Sequence, residues 1–240
     1  MNFFSLFKRR IIYQFRKKIS IDNDDLKDKS LDSLFHDYGS DKANIFKKNN
    51  FQGHGFSKFY TKHLDILKNK KINILEIGSY AGASAAAFVK YFPLSKVFCF
   101  DINISNFKYK SNNIHVYGLD INKKNQVNKT LNQIYRKNNF NKFDLIIDDG
   151  SHNLKDILVS FNFFFNHLKD KNFFIIEDFK HPNYYEYNKD INHILLDQVL
   201  DNLEKKVLFN STIINEKDQL ILMNSIEKIF LYKGNLKDSD

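Results

Sequence analysis

Between residues 72 and 176, short apolar runs alternate with longer amphipathic stretches. Ile72–Ile77, Val97–Phe100, Ile114–Tyr117, Phe143–Ile147 and Phe173–Ile176 are rich in β-branched and aromatic residues, which is how strands buried on both faces read. Gly82–Tyr91, Asn122–Lys137 and Ser151–Leu168 repeat apolar positions at helical spacing, the last with a face of Phe. Strands alternating with helices of this length predict βαβ units, and hence an α/β fold with a doubly wound, mostly parallel sheet. Ahead of the first strand, a helical stretch from residue 31 runs into Tyr38-Gly-Ser-Asp-Lys42. A polar loop with Gly53-His54-Gly55 follows, then helical periodicity over Phe56–Leu67. After Asp178 the pattern loosens, predicting a helix over Ile191–Leu203 and a strand over Ile226–Tyr232 before a polar end.

The first thirty residues read differently. Phe3, Phe4, Phe7, Ile11, Phe15 and Ile19 recur at roughly helical spacing with bases between them, and the polar, acidic stretch Asp22–Ser30 reads as a linker. The expected organisation is therefore a basic amphipathic helix and linker over 1–30 and a single domain over 31–240. A secretory signal would keep its charges ahead of one continuous apolar run, and here the bases interrupt it. Two roles stay open: docking on its own domain or a partner subunit, or lying on an anionic membrane surface.

Charge sharpens this division. Of the 37 bases, six (Lys8, Arg9, Arg10, Arg16, Lys17 and Lys18) fall in the first twenty residues, which hold no acid. The other 31 stand against 28 acids, so the net +9 of the chain falls to +3 for its body. A nearly balanced body gives no extended phosphate-binding face, and nucleic acid is not an expected partner. The lone Cys99 excludes a disulfide framework and a Cys-based zinc site. No apolar run reaches the roughly 18 residues of a membrane span, and the expected location is cytoplasmic, with peripheral contact at the inner membrane face left open. A homo-oligomer is left open too.

In a doubly wound sheet, ligands sit outside the carboxyl ends of the strands, so the residues there carry the chemistry. The first strand ends in Glu76-Ile-Gly-Ser-Tyr-Ala-Gly-Ala-Ser84 and opens a helix. Gly78 and Gly82 let the backbone approach a ligand, and the helix N-terminus favours an anionic group. Tyr80 breaks the G-x-G-x-x-G fingerprint of dinucleotide sites. Asp101, at the end of the second strand, is placed to accept ribose hydroxyls. Together these features suggest a nucleoside-containing cofactor with a carboxylate or phosphate. The fourth strand ends in Asp148-Asp149-Gly-Ser-His152 and the fifth in Glu177-Asp178. Asp149 and Asp178, on neighbouring strand ends, suit a hard divalent cation such as Mg²⁺. His152 is placed to act as general base on a substrate hydroxyl. The competing reading makes Ser151 a helix cap, Asp149 its dipole partner and His152 an ordinary polar residue.

The turn at 76–84 resembles the S-adenosylmethionine motif of class I methyltransferases, in the form typical of metal-dependent O-methyltransferases of the catechol type. Phe143–His152 followed by Ile175-Ile-Glu-Asp178 is similar to the macrolide-sugar O-methyltransferases and their relatives in surface-glycan and antibiotic clusters, and Tyr38–Lys42 and His54–Leu64 resemble that group's lead-in. The likeness covers about residues 31–180. It implies a Rossmann-like class I methyltransferase fold and O-methyl transfer from S-adenosylmethionine to a hydroxyl of a small molecule or sugar, assisted by Mg²⁺. Glu76, Gly78, Tyr80, Gly82 and Ser84 would hold the methionine end of the cofactor, Asp101 the ribose, and Asp120 the adenine edge. Asp149 and Asp178 would be metal ligands and His152 the base. Alternatives are a metal-free enzyme with His152 acting alone, or a non-catalytic cofactor-binding adaptor. Two features depart from the pattern. Phe179 stands where catechol-type enzymes follow the second metal aspartate with asparagine, so a third protein ligand must come from elsewhere. The fold normally closes with an antiparallel pair of strands, and only one is evident, over Ile226–Tyr232: either the sheet lacks its final strand or residues 207–214 supply one. The acceptor pocket is expected from residues 31–60 and 180–190, with His181, Tyr184, Tyr185 and Tyr187 among them.

Overall fold

The computed structural model describes residues 3–26, 28–48, 50–179 and 193–236. Five parallel strands form its sheet: β1 (Asn73–Ile77), β2 (Lys96–Asp101), β3 (Ile114–Gly118), β4 (Phe143–Asp148) and β5 (Leu168–Ile176). Their spatial order is β3-β2-β1-β4-β5. The chain thus winds outward in one direction from β1 and then reverses to β4, and the crevice between the carboxyl ends of β1 and β4 is where such sheets bind ligands.

Alternation within the strands sorts side chains onto two apolar layers. Ile74, Val97, Cys99, Leu145 and Ile147 join one cluster with α2 (Leu31–Tyr38), α3 (Ser57–Leu64) and α4 (Ala83–Tyr91). Leu75, Ile77, Phe98, Phe100 and Ile146 point the other way, against α5 (Lys124–Asn138). Glu76 falls on the first face, in register with Cys99 and Ile147, so a carboxylate is set into an apolar layer. Ala85, Ala86 and Ala87, all fully buried, keep α4 thin enough for α2 to pack on it. A third cluster joins α6 (Leu154–Phe164), α7 (Leu196–Glu204) and α8 (Glu216–Ser225).

Several boundaries move from their expected places. The helix read over Ser151–Leu168 starts at Leu154, because Asn153 rather than Ser151 caps it, accepting from Lys155 N at 3.1 Å. It ends in a 3₁₀ turn at Phe165–His167, and β5 begins at once, five residues earlier than the sequence suggests. β5 then pairs with β4 across an irregularity, Phe143 opposite Leu168 and Leu145 opposite Phe173. The helix read over Ile191–Leu203 is α7; residues 191 and 192 lie outside the described residues.

The strand expected over Ile226–Tyr232 does not form. Phe230 and Tyr232 instead lie against α3: Tyr232 stacks on Phe59 at 4.4 Å, and its hydroxyl meets His63 Nε2 at 2.6 Å. Residues 207–214 are not a strand either. The buried Gln219 side chain takes their backbone groups, accepting from Phe209 N and donating to the Phe209 and Ile214 carbonyls. Among the described residues the sheet has five strands and no antiparallel closing pair.

At the other end of the chain, α1 (Phe3–Phe15) rests on the domain. Arg9, Arg10 and Arg16 donate to the carbonyls of Ile102, Gly118 and Ser105, at 2.7–2.9 Å. Ile19–Ser20 then pairs in parallel with Tyr109–Lys110. Among the described residues no helix is long and apolar enough to cross a membrane.

Candidate functional site

Main-chain bonding sets the strand-end row. Gly78 N donates to Phe100 O, Asp149 N to Ile77 O and Glu177 N to Asp148 O, each at 2.8–2.9 Å. These bonds carry the ladder one residue past the strands and bring three loops side by side. At Gly78 the fit is closest: φ is +85°, and a Cβ there would lie 1.9 Å from Asp149 O. Gly82 takes φ +78° as N-cap of α4, over the ring of Phe107. Tyr80, His152 and Asp178 also have positive φ (40°, 54° and 50°), a conformation non-glycine residues avoid. Their concentration at one row of strand ends is the kind of strain that functional sites hold.

The expected cofactor residues line this row. Asp101 caps the glycine turn and its own loop, accepting from Tyr80 N at 2.7 Å and Asn103 N at 2.5 Å. A carboxylate has about four lone-pair sites, so capacity for ribose hydroxyls is left. Asp120 is buried after β3, next to Asp101 through the Leu119 N to Asp101 O bond, and accepts from Asn122 N at 3.1 Å. Tyr80 is largely exposed, whereas Ser84 is buried in the first turn of α4. Glu76 is fully buried, and burial pushes its carboxyl from 4.5 up to about 7, against the pull of Lys42 and of the Ser84 and Ser79 hydroxyls. Its Oε1 has no hydrogen-bond partner within the protein. A buried acceptor of this kind could receive an ammonium donor.

Beside the turn, Asp149, His152 and Asp178 each offer one ligand atom, all within 4.8 Å of one another. His152 Nε2 stands 3.8 Å from Asp149 Oδ1 and 3.9 Å from Asp178 Oδ2, longer than hydrogen bonds. Ligand atoms on opposite sides of an octahedral ion with bonds of about 2.1 Å stand about 4.2 Å apart, so this cluster fits one ion after small side-chain rotations. The two carboxylates are the hard donors Mg²⁺ prefers, while imidazole suits softer metals better.

Three contacts at this site escaped the sequence. Lys42 is 2% exposed and its Nζ is paired with Asp149 Oδ2 at 2.5 Å and with Glu177 Oε2. Asp149 and Glu177 hold its pKa well above the ordinary value against the opposing effect of burial. Tyr60, on α3, donates to the other oxygen of Glu177; burial pushes its phenol well above the ordinary range, and the charges of Glu177, Asp149 and Glu76 push it further. His54 puts Nδ1 3.5 Å from Asp178 Oδ1, its ring packed on Phe56. Lys42 and His54 sit in glycine-marked segments that the sequence singled out, but nothing local ties them to strands a hundred residues later. Phe179 packs on the third apolar cluster instead of supplying a polar ligand. His181, Tyr184, Tyr185 and Tyr187 lie outside the described residues.

No family model matches the chain. It is similar to the L-olivosyl-oleandolide 3-O-methyltransferase of Streptomyces antibioticus, 31% identical over 134 residues, which is 52% of this chain and 32% of that protein. It is also similar to the mycinamicin VI 2''-O-methyltransferase of Micromonospora griseorubida, 27% identical over 146 residues, with 52% and 31% covered. The matched stretch thus spans about a third of these relatives. Among solved structures, the MycE methyltransferase of the mycinamycin pathway, in complex with Mg and SAH, superposes with a TM-score of 0.63 at 20% identity, over 85% of this chain and 51% of that one. The chain therefore has the Rossmann-like fold of class I S-adenosylmethionine-dependent methyltransferases, and the two curated relatives are O-methyltransferases.

Proposed function

We propose that this protein transfers a methyl group from S-adenosylmethionine to a hydroxyl of a small molecule or sugar, with Mg²⁺ bound at the same crevice. The observation that carries the reading is the convergence of Asp149, His152 and Asp178 beside the Gly78–Gly82 turn, at the point where strand order reverses. Its relatives are O-methyltransferases named for L-olivosyl-oleandolide and mycinamicin VI, and one similar structure, MycE, holds Mg, SAH and mycinamycin VI together.

The residues divide the work by position. Glu76 and Ser84, with the backbone at Gly78, Tyr80 and Gly82, hold the methionine end; Asp101 holds the ribose, and Asp120 borders the adenine. Asp149 and Asp178 hold the cation. A bound divalent ion supplies charge that lowers the pKa of a nearby hydroxyl and fixes its orientation. His152 takes the acceptor's proton as the acceptor oxygen bonds to the methyl carbon and the carbon–sulfur bond breaks. The strand-end row holds the reacting groups in line, an orientation worth on the order of 7–11 kcal/mol.

One observation favours a second reading. The Lys42 ammonium already pairs with Asp149, so a tethered cation stands where a divalent ion would share a ligand. A metal-free enzyme would then rely on His152 alone. Both readings are tested with radiolabelled S-adenosylmethionine and a glycosylated macrolide acceptor. In the metal-assisted case EDTA abolishes transfer, Mg²⁺ restores it, and Asp149→Asn and Asp178→Asn lose most of the rate while still binding cofactor. His152→Ala lowers the rate about 10²–10⁴-fold in either case. Activity that withstands EDTA and Asp178→Asn but not His152→Ala selects the metal-free reading. Activity retained by all three variants places the chemistry elsewhere.

A further inference from the structure

The helix α1 has two faces. Leu6, Arg10 and Tyr13, spaced by four and three residues, meet the domain: Leu6 is buried, Arg10 bonds the end of β3, and Tyr13 lies edge-on to Phe107. At 3.6 residues per turn the opposite side carries Phe4, Phe7, Ile11 and Phe15, with Ile12 beside them. These residues are exposed, Phe7 by 54% and Phe15 by 85%. An outward row of large apolar side chains on a helix already docked through its other face is not explained by packing within the domain.

Charge indicates what would cover it. Of the six bases in the first twenty residues, Arg9, Arg10 and Arg16 are held by domain carbonyls and Lys18 by Tyr13 O, which leaves Lys8 at the edge of the row and Lys17 exposed just past the helix, with no acid among the twenty. A second copy of this chain would bring an identical cationic row against the first, and an acid-free interface of that kind repels itself. An anionic lipid surface complements both features, because apolar side chains enter the acyl boundary while bases meet the headgroups. We infer that α1 holds the protein on an anionic bilayer through Phe7, Ile11 and Phe15. The same segment bonds Ile102, Ser105 and Gly118, near Asp101 in sequence or register, so α1 sits at the β2–β3 end of the strand-end row. The inference is independent of methyl transfer and stands or falls on binding alone.

Flotation of the full chain with phosphatidylglycerol vesicles, compared with phosphatidylcholine vesicles, tests it. The parent should float with the anionic vesicles only, and binding should fall as NaCl rises from about 0.05 to about 0.5 M. Phe7→Ser/Phe15→Ser should stay in the aqueous fraction with the parent's circular dichroism and melting temperature. Lys8→Gln and Lys17→Gln should each weaken binding about fivefold. Three results would overturn the inference: no flotation, equal binding to neutral vesicles, or flotation retained by the double Phe variant. So would light scattering that finds a parental dimer split by Phe7→Ser/Phe15→Ser, which would make a second copy the occupant.

Discussion

Glu76→Gln should strengthen the fold and weaken cofactor binding at the same time. Glu76 sits on the apolar face of β1, fully buried beneath the glycine turn. Burial raises its carboxyl from 4.5 to about 7 although Lys42, Ser84 and Ser79 all favour the charged form. Because the folded-state pKa lies above the unfolded one, the native state holds more protons between those values, and stability falls as pH rises through that window. At about 1.4 kcal/mol per pH unit, the loss from pH 4.5 to pH 7 and above is about 3 kcal/mol. Gln keeps the shape without the charge, so it removes the slope. Asp148, raised by burial to about 7 as well, contributes the same slope to both proteins and cancels in the comparison. Urea denaturation at pH 5 and pH 8 measures the effect. The stability difference between variant and parent should move by about 2–3 kcal/mol in the variant's favour between the two pH values. S-adenosylhomocysteine, whose ammonium would meet the open Oε1, should stabilise the parent at pH 8 far more than the variant. A stability difference that is the same at pH 5 and pH 8 would refute the account of Glu76.

Other expectations follow from the same geometry. Gly78→Ala, whose methyl would strike Asp149 O, should lower stability by of the order of 3 kcal/mol or more by thermal melting. Gly82→Ala should also lower the melting temperature, because φ is +78° there and the Phe107 ring its methyl meets is fully buried. Lys42→Met leaves Asp149 and Glu177 without their buried counter-charge and should destabilise by about 3–5 kcal/mol in urea melts; a neutral result would mean the pair is not buried as described. Asp101→Ala should weaken S-adenosylhomocysteine binding at least about tenfold by calorimetry, the scale of a lost charge-assisted hydrogen bond. Calorimetry that finds NAD bound and no S-adenosylhomocysteine would defeat the cofactor assignment.

The chain by itself determined the alternating strands and helices, the glycine turn at 78–82 and the placing of Asp101, Asp149 and Asp178 at strand ends. Each rests on interactions between near neighbours: side-chain alternation, helical period, and a backbone φ that glycine reaches without strain. Residues on separate strands could be grouped before any contact was known because ligands of a doubly wound sheet sit outside the carboxyl ends of its strands. Only the tertiary structure decided the rest. Nothing local in Tyr38–Lys42 marks Lys42 for burial, and it becomes a buried counter-charge because Asp149 and Glu177 arrive from strands over a hundred residues away. Phe230 and Tyr232 alternate as in a strand, yet their rings find α3 and the expected pairing is lost. Ser151 and Asn153 are both competent caps, and the tight passage of His152 through a left-handed conformation selects Asn153. The first helix showed its amphipathic character in sequence, but which face meets the domain was settled by carbonyls at the ends of β2 and β3 that three arginines happen to reach. Local preference writes the elements; competition among distant partners for the same groups assigns them their contacts.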